Sequence, residues 1–236
     1  MVDRTGKVVR TIGEPTGVGQ PAFSPDGKKL AFLRNNLETS NVNLWTVDLE
    51  TGKETQITND NFPHNNPTWS PDGKHIAYQS NRGTYTSIYW RNSDGTGSEE
   101  MLFRYTPGAG LALSDFTPDG KYVLFDGGAI LMAAPLGGSD PLARKAVEMS
   151  REEYEVGFAR PSPDGRYLSY GSTEVKDRIE IFIRPFDMVK AALAEGGAEA
   201  GRFRQPRMVR AAAISGATTQ RSYSTLARNR DRTNLR

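Results

Sequence analysis

FSPDGKKLAF, residues 23–32, returns three more times along the chain, as WSPDGKHIAY (69–78), FTPDGKYVLF (116–125) and PSPDGRYLSY (161–170). Each copy reads as a turn feeding a strand. Proline presets the backbone for the second position of a type I turn, aspartate suits the third, and glycine accepts the positive φ that returns the chain as a hairpin. After each glycine the apolar residues fall at alternate places: Leu30 and Phe32, Ile76 and Tyr78, Val123 and Phe125, Leu168 and Tyr170. Period two means a strand with one face buried.

The prolines of the four turns are Pro25, Pro71, Pro118 and Pro163, spaced by 46, 47 and 45 residues. A repeat of that length built on strands and turns predicts a β-propeller, one four-stranded blade per repeat. A further strand follows each copy: Asn43–Leu49, Ser87–Ser93, Ala129–Leu136 and Glu180–Phe186. Each carries an adjacent apolar pair, Leu44-Trp45, Ile88-Tyr89, Ile130-Leu131 and Ile181-Phe182. A turn and a polar outer strand close the repeat, clearest in ETQIT at Glu54–Thr58. The predicted fold is all-β, with blades at about 19–58, 66–104, 112–149 and 156–187 and an N-terminal outer strand at 7–12. Residues 1–187 form the propeller domain in this reading, and 188–236 an Ala/Glu segment followed by a basic, disordered tail.

Composition bounds the rest. The 236 residues hold 24 glycines and 14 prolines, as many short strands joined by turns require. Without cysteine, disulfides and thiolate chemistry are excluded. No window is apolar enough to span a bilayer, and MVDRTGKVVR lacks the apolar core of an export signal. The net charge of +2 hides an asymmetry, since Gly201–Arg236 holds nine arginines and one aspartate. That tail lacks the interleaved aromatics that stack bases, which argues against nucleic acid as its partner.

The repeated [FW]-[ST]-P-D-G-K strand resembles the WD-like, Pro-Asp-Gly-type repeat of the TolB-like β-propeller family. Related blades occur in propellers of tricorn and prolyl-oligopeptidase-type peptidases and of bacterial serine/threonine kinases. The resemblance covers roughly Asp3–Asp187, and it departs at Pro161, where the other copies carry Phe or Trp. Because family propellers close with six or seven blades and this chain starts inside a blade, the four repeats are read as an incomplete arc. The resemblance implies a non-catalytic scaffold for a protein or peptide partner, in the periplasm or cell envelope, with the cytoplasm as the alternative. The alternative function is a sensor or gating propeller of a larger kinase or peptidase. Open blade ends also imply self-association.

Candidate catalytic residues are weak. A hydrolase triad needs a nucleophile beside a histidine, and the chain has only His64 and His75 and no GxSxG elbow. Two histidines eleven residues apart do not make a metal set, so no metal or cofactor is expected. The turn residues Pro25, Asp26, Gly27, Pro71, Asp72, Gly73, Pro118, Asp119, Gly120, Pro163, Asp164 and Gly165 are read as structural, because a whole blade separates each carboxylate from the next. Binding is sought instead in the loops entering each inner strand, which converge around the channel. The candidates there are Phe62, His64, Asn65, Asn66, Tyr105, Glu152, Glu153 and Tyr154, an aromatic and polar mixture suited to a peptide.

Overall fold

The computed structural model describes residues 3, 5–9, 11, 17–36, 39, 41–82, 85–105, 112–174, 178–186 and 209–210. They form four antiparallel four-stranded sheets, each with its strands in chain order. Blade one holds β1 (Val18–Phe23), β2 (Lys29–Asn35), β3 (Val42–Asp48) and β4 (Glu54–Gln56). Blade two holds β5 (His64–Trp69), β6 (His75–Arg82), β7 (Tyr85–Asn92) and β8 (Glu100–Arg104). Blade three holds β9 (Ala112–Phe116), β10 (Tyr122–Asp126), β11 (Ile130–Pro135) and β12 (Val147–Arg151). Blade four holds β13 (Val156–Pro161), β14 (Tyr167–Ser172), β15 (Glu180–Pro185) and the two-residue β16 (Val209–Arg210). The all-β propeller class read from the repeats is the fold observed.

The four Pro-Asp-Gly turns share one hydrogen-bond set. In the first, Ser24 Oγ donates to Asp26 Oδ1 at 2.6 Å, and the Lys28 amide donates to the same oxygen at 3.0 Å. Ser24 Oγ in turn accepts the Lys29 amide at 2.8 Å, and Gly27 sits at φ +69°. The set recurs around Asp72, Asp119 and Asp164. The Ser70 hydroxyl and the Lys74 amide hold the Asp72 carboxyl below the usual carboxylate range. These carboxylates are occupied in shaping the hairpin.

The core lies between blades. The residue of each third strand paired with the sixth position after the turn glycine is Leu44, Ile88 or Leu131. Each is fully buried in a cluster that includes the aromatic of the following blade: Leu44 with Tyr78, Ile88 with Phe125, Leu131 with Tyr170. Burying one such side chain stabilises by about 2 kcal/mol. Arginines bridge back across the same junctions, Arg91 donating to the Ile57 carbonyl at 2.7 Å and Arg144 to the Leu102 carbonyl at 2.6 Å.

The two ends of the arc differ from the sequence reading in detail. In blade four the outer strand is Val209–Arg210, within the stretch read as a basic tail, and it pairs with Ile183 and Phe182. A two-residue strand of this kind has no periodicity for the sequence to display. Of the outer strand expected at 7–12, Val8 forms an isolated bridge, and part of that stretch falls outside the described residues. The Ala/Glu segment also lies outside them. At the other end, the Arg34 guanidinium covers Phe32 and Trp45 at 5.1 and 4.7 Å from their ring centroids. It also makes a two-bond pair with Glu54, at 2.9 and 2.7 Å.

Candidate functional site

The channel wall is built by the inner strands β1, β5, β9 and β13. Each pairs with its second strand through a one-residue bulge, at residues 19–22, 65–68, 113–115 and 157–160. A bulge bends a strand and re-aims its groups. Three bulge residues sit in the left-handed region, Gln20 at φ +50°, Asn66 at +53° and Phe158 at +58°. This conformation costs non-glycine residues energy, so tertiary contacts must hold it.

For Asn66 and Phe158 those contacts are side-chain oxygens from the preceding blade. The Asn66 amide donates to Gln20 Oε1 at 2.5 Å, and the Leu113 amide faces Gln79 Oε1 at 3.4 Å. The Phe158 amide donates to the Asp126 carboxylate, which also accepts from Ser114 Oγ at 3.1 Å. Asp126 is desolvated by this packing, and burial pushes its pKa up to about 6. A polar belt therefore ties blades one through four around the channel.

Toward the Pro-Asp-Gly end of the inner strands lies a cleft of about 360 Å³ lined by residues of all four blades. Blade one supplies Ala22 and Phe23, blade two Thr68 and Trp69, blade three Asp115 and blade four Arg160. Arg160 pairs with Asp115 at 3.0 Å, and Thr68 Oγ1 donates to the same carboxylate at 3.2 Å. Trp69 Nε1 donates to the Ala22 carbonyl at 2.9 Å, fixing that indole. Phe23 is 53% exposed, whereas its repeat counterparts Trp69 and Phe116 are 5% and 3% exposed. The cleft thus offers an apolar ring beside an arginine and a carboxylate.

The loop residues named from sequence do not form one surface. His64 is buried; its Nε2 lies 2.9 Å from Asp60 Oδ1 and its ring meets Tyr78 edge-on at 5.1 Å. Burial holds its pKa below the usual imidazole range against the opposing pull of Asp60. Tyr78 donates to Glu99, and Arg82 pairs with Glu99 at 2.7 Å while its guanidinium stacks over Tyr89 and Phe62. Burial, first, and then Glu99 push the Tyr78 phenol well above its usual range. Phe62 remains exposed above this network. Asn65 is partly buried, and Asn66 is taken up in the polar belt, its Nδ2 donating to Gln79 Oε1 at 3.2 Å. Tyr105 packs edge-on against Phe125, Glu152 pairs with Arg184 at 3.2 Å, and Glu153 and Tyr154 are exposed.

Sequence reasoning missed Phe23, Thr68, Asp115 and Arg160. Three of these share one signal, the position just before the residue that precedes [ST]-P-D-G, and Phe23 occupies that next position itself. Among the described residues no helix is long and apolar enough to cross a membrane, and no cluster of three metal-ligating side chains is found.

The family model of the TolB beta propeller domain matches residues 4–172. The chain belongs to the TolB β-propeller family. TolB from Acinetobacter baumannii superposes with a TM-score of 0.62 at 21% identity, covering 78% of this chain and 45% of that one. A putative TolB from Agrobacterium tumefaciens gives 0.55 at 22% identity, covering 70% and 60%. A puromycin hydrolase gives 0.51 at 15% identity, covering 74% and 27%. The chain therefore spans about half the length of the TolB structures it matches. No curated protein matches it.

Proposed function

We propose that this TolB-type propeller is a binding module that takes an extended peptide segment of a protein partner in the cleft of the inner strands. The observation that carries the reading is the exposed Phe23, which lines the same cleft as the Arg160–Asp115 pair. Aromatic rings beside an arginine are the side chains that anchor protein interfaces. Trp69 is fixed by its bond to Ala22, so the wall is preorganised and little ordering cost attends binding. Neither histidine offers an accessible base: His64 is buried beneath Tyr78 and His75 stacks on Trp90 at 4.1 Å. Family resemblance supports a periplasmic or cell-envelope setting. The exposed Phe62 and Tyr154 are the competing site.

The test selects short extended peptides on the chain by phage display and measures affinity by fluorescence anisotropy. Phe23→Ala or Arg160→Ala should weaken binding about tenfold, roughly 1.4 kcal/mol. Phe62→Ala combined with Tyr154→Ala should leave it unchanged. Loss confined to the loop pair would move the site to the loop face, and failure to select any peptide would overturn the reading.

A further inference from the structure

His64 is the buried anchor of an otherwise exposed stretch. Asn59, Asn61, Phe62 and Pro63 are exposed and Asp60 is half-buried, whereas His64 is 1% exposed. Fixed points bracket this stretch. On one side Thr58 is buried, its Oγ1 accepting the Leu44 amide at 2.9 Å and donating to Asn43 Oδ1 at 3.1 Å. On the other, Asn66 is held in the polar belt by Gln20 and Gln79.

Between those points the chain hangs on Asp60. Its Oδ1 accepts the Phe62 amide and bonds His64 Nε2, each at 2.9 Å. An ionised carboxylate can only accept, so the ring proton sits on Nε2 and Nδ1 keeps its lone pair. Nδ1 is buried and has no hydrogen-bond partner among the described residues. A second ring proton would therefore be a buried donor without an acceptor, on a ring whose charge is out of water.

The surrounding charges do not reverse this. Asp60 and Glu99 favour the imidazolium, and the Arg82 guanidinium opposes it. Both carboxylates are already shared with Arg82, which pairs with Glu99 at 2.7 Å and lies 3.7 Å from Asp60. The Tyr78 phenol, whose ring meets His64 edge-on, also donates to Glu99. Burial prevails, and His64 is held below the usual imidazole range. The remaining ties of the stretch are long or exposed. Asn41 Nδ2 donates to Asn61 Oδ1 at 2.7 Å, the Asp60 amide to Asn43 Oδ1 at 3.3 Å and the Asn81 amide to the Pro63 carbonyl at 3.4 Å. Such a segment opens at lower cost than the sheet beneath it.

We propose that His64 is an acid-released latch: protonating its ring frees residues 59–65 and lifts Phe62 from its seat against Arg82, while the four sheets stay folded. In the closed form the Arg82 guanidinium lies 4.8 Å from the centre of the Phe62 ring. Only the open form lets Nδ1–H reach water, so acid selects it. Open, the ring takes its proton near 6.5; closed, only at lower pH. Opening therefore rises as pH falls below about 6.5, by at most about tenfold per pH unit for one proton. The latch stands at the opposite end of β5 from Trp69, so it does not depend on the peptide cleft.

Hydrogen exchange on the full chain, corrected for the intrinsic rate at each pH, reads the latch at single amides. The Phe62 amide, bonded to Asp60, should lose protection steeply below about 6.5. The amides of β10 should keep theirs. His64→Gln retains a donor for Asp60 and does not titrate, so its Phe62 protection should not change with pH. Should that variant be open at every pH, Asp60→Asn decides. Its oxygen still accepts the Phe62 amide, and without the carboxylate charge acid should open the stretch further than in the parent. Protection of Phe62 and β10 falling together would show global unfolding and overturn the latch. So would a parent whose Phe62 protection ignores pH, a His64→Gln chain with the parent's pH dependence, or an Asp60→Asn chain that opens no further.

Discussion

The Arg160 guanidinium of blade four reaches the Asp115 carboxylate of blade three at 3.0 Å, across the floor of the inner-strand cleft. Arg160 is about half exposed, and an ion pair in that setting contributes at most about 1 kcal/mol to stability. Arg160→Ala should therefore shift the thermal midpoint little while weakening a cleft-bound peptide. A midpoint falling as far as for a core truncation would show that the pair serves the blade junction and not the cleft.

Asp126 should set a pH dependence of opposite sign to ordinary acid unfolding. Below 3.8 both folded and unfolded chains hold its proton, and from 3.8 to about 6 the folded chain alone keeps it. Its share of stability therefore falls as pH rises through that window, and the cost persists above it. Asp126→Asn keeps an oxygen for the Ser114 hydroxyl and the Phe158 amide and removes the charge. At about 1.4 kcal/mol per pKa unit, discounted for partial exposure, the variant should gain about 1–2 kcal/mol at neutral pH. Urea melts at neutral pH and below 3.8 check this, with the gain absent at the lower pH.

His64 carries the other pH effect. Burial keeps its ring neutral when the unfolded imidazole would protonate near 6.5, so stability is lost as pH falls below that value. The charged groups facing it are Asp60, Arg82 and Glu99. His64→Gln, which does not titrate, should show a flatter thermal midpoint from neutral pH to just below 6, read by differential scanning calorimetry. A slope as steep as the parent's would assign the acid sensitivity elsewhere.

Gly73 tests the turn. Its φ is +69°, and an added Cβ would stand 3.7 Å from Pro25 Cδ, an ordinary contact. The cost of Gly73→Ala is therefore conformational, about 1–2 kcal/mol, and Gly73→Asn should cost less because asparagine tolerates this region. Denaturant midpoints of the two variants give the order directly. An equal loss in both would mean that packing, and not backbone conformation, selects glycine.

How much of this was legible in the sequence can be judged from particular residues. The turns around Asp26, Asp72, Asp119 and Asp164 and the alternation that follows them are local, so four copies in register gave the blades, their order and their propeller class. The loop candidates were only partly informative. His64 and Tyr105 look like surface residues beside prolines and asparagines, yet one sits under Tyr78 and the other against Phe125. Burial of that kind depends on the neighbouring sheet, which lies a whole repeat away along the chain.

The sequence by itself determined the repeat, because hairpin turns and strand alternation rest on contacts a few residues apart. Only the tertiary structure decided which side chains meet between blades. Ala22, Thr68, Asp115 and Arg160 each sit in a different repeat and carry no shared chemistry, and they become one cleft through the curvature of the stack. Ile181 reads like Leu44, Ile88 and Leu131 in sequence and differs from them in exposure, since burial belongs to the blade that follows. Arg34, an ordinary strand residue in sequence, covers Trp45 and pairs with Glu54 only because the sheet brings them within its reach.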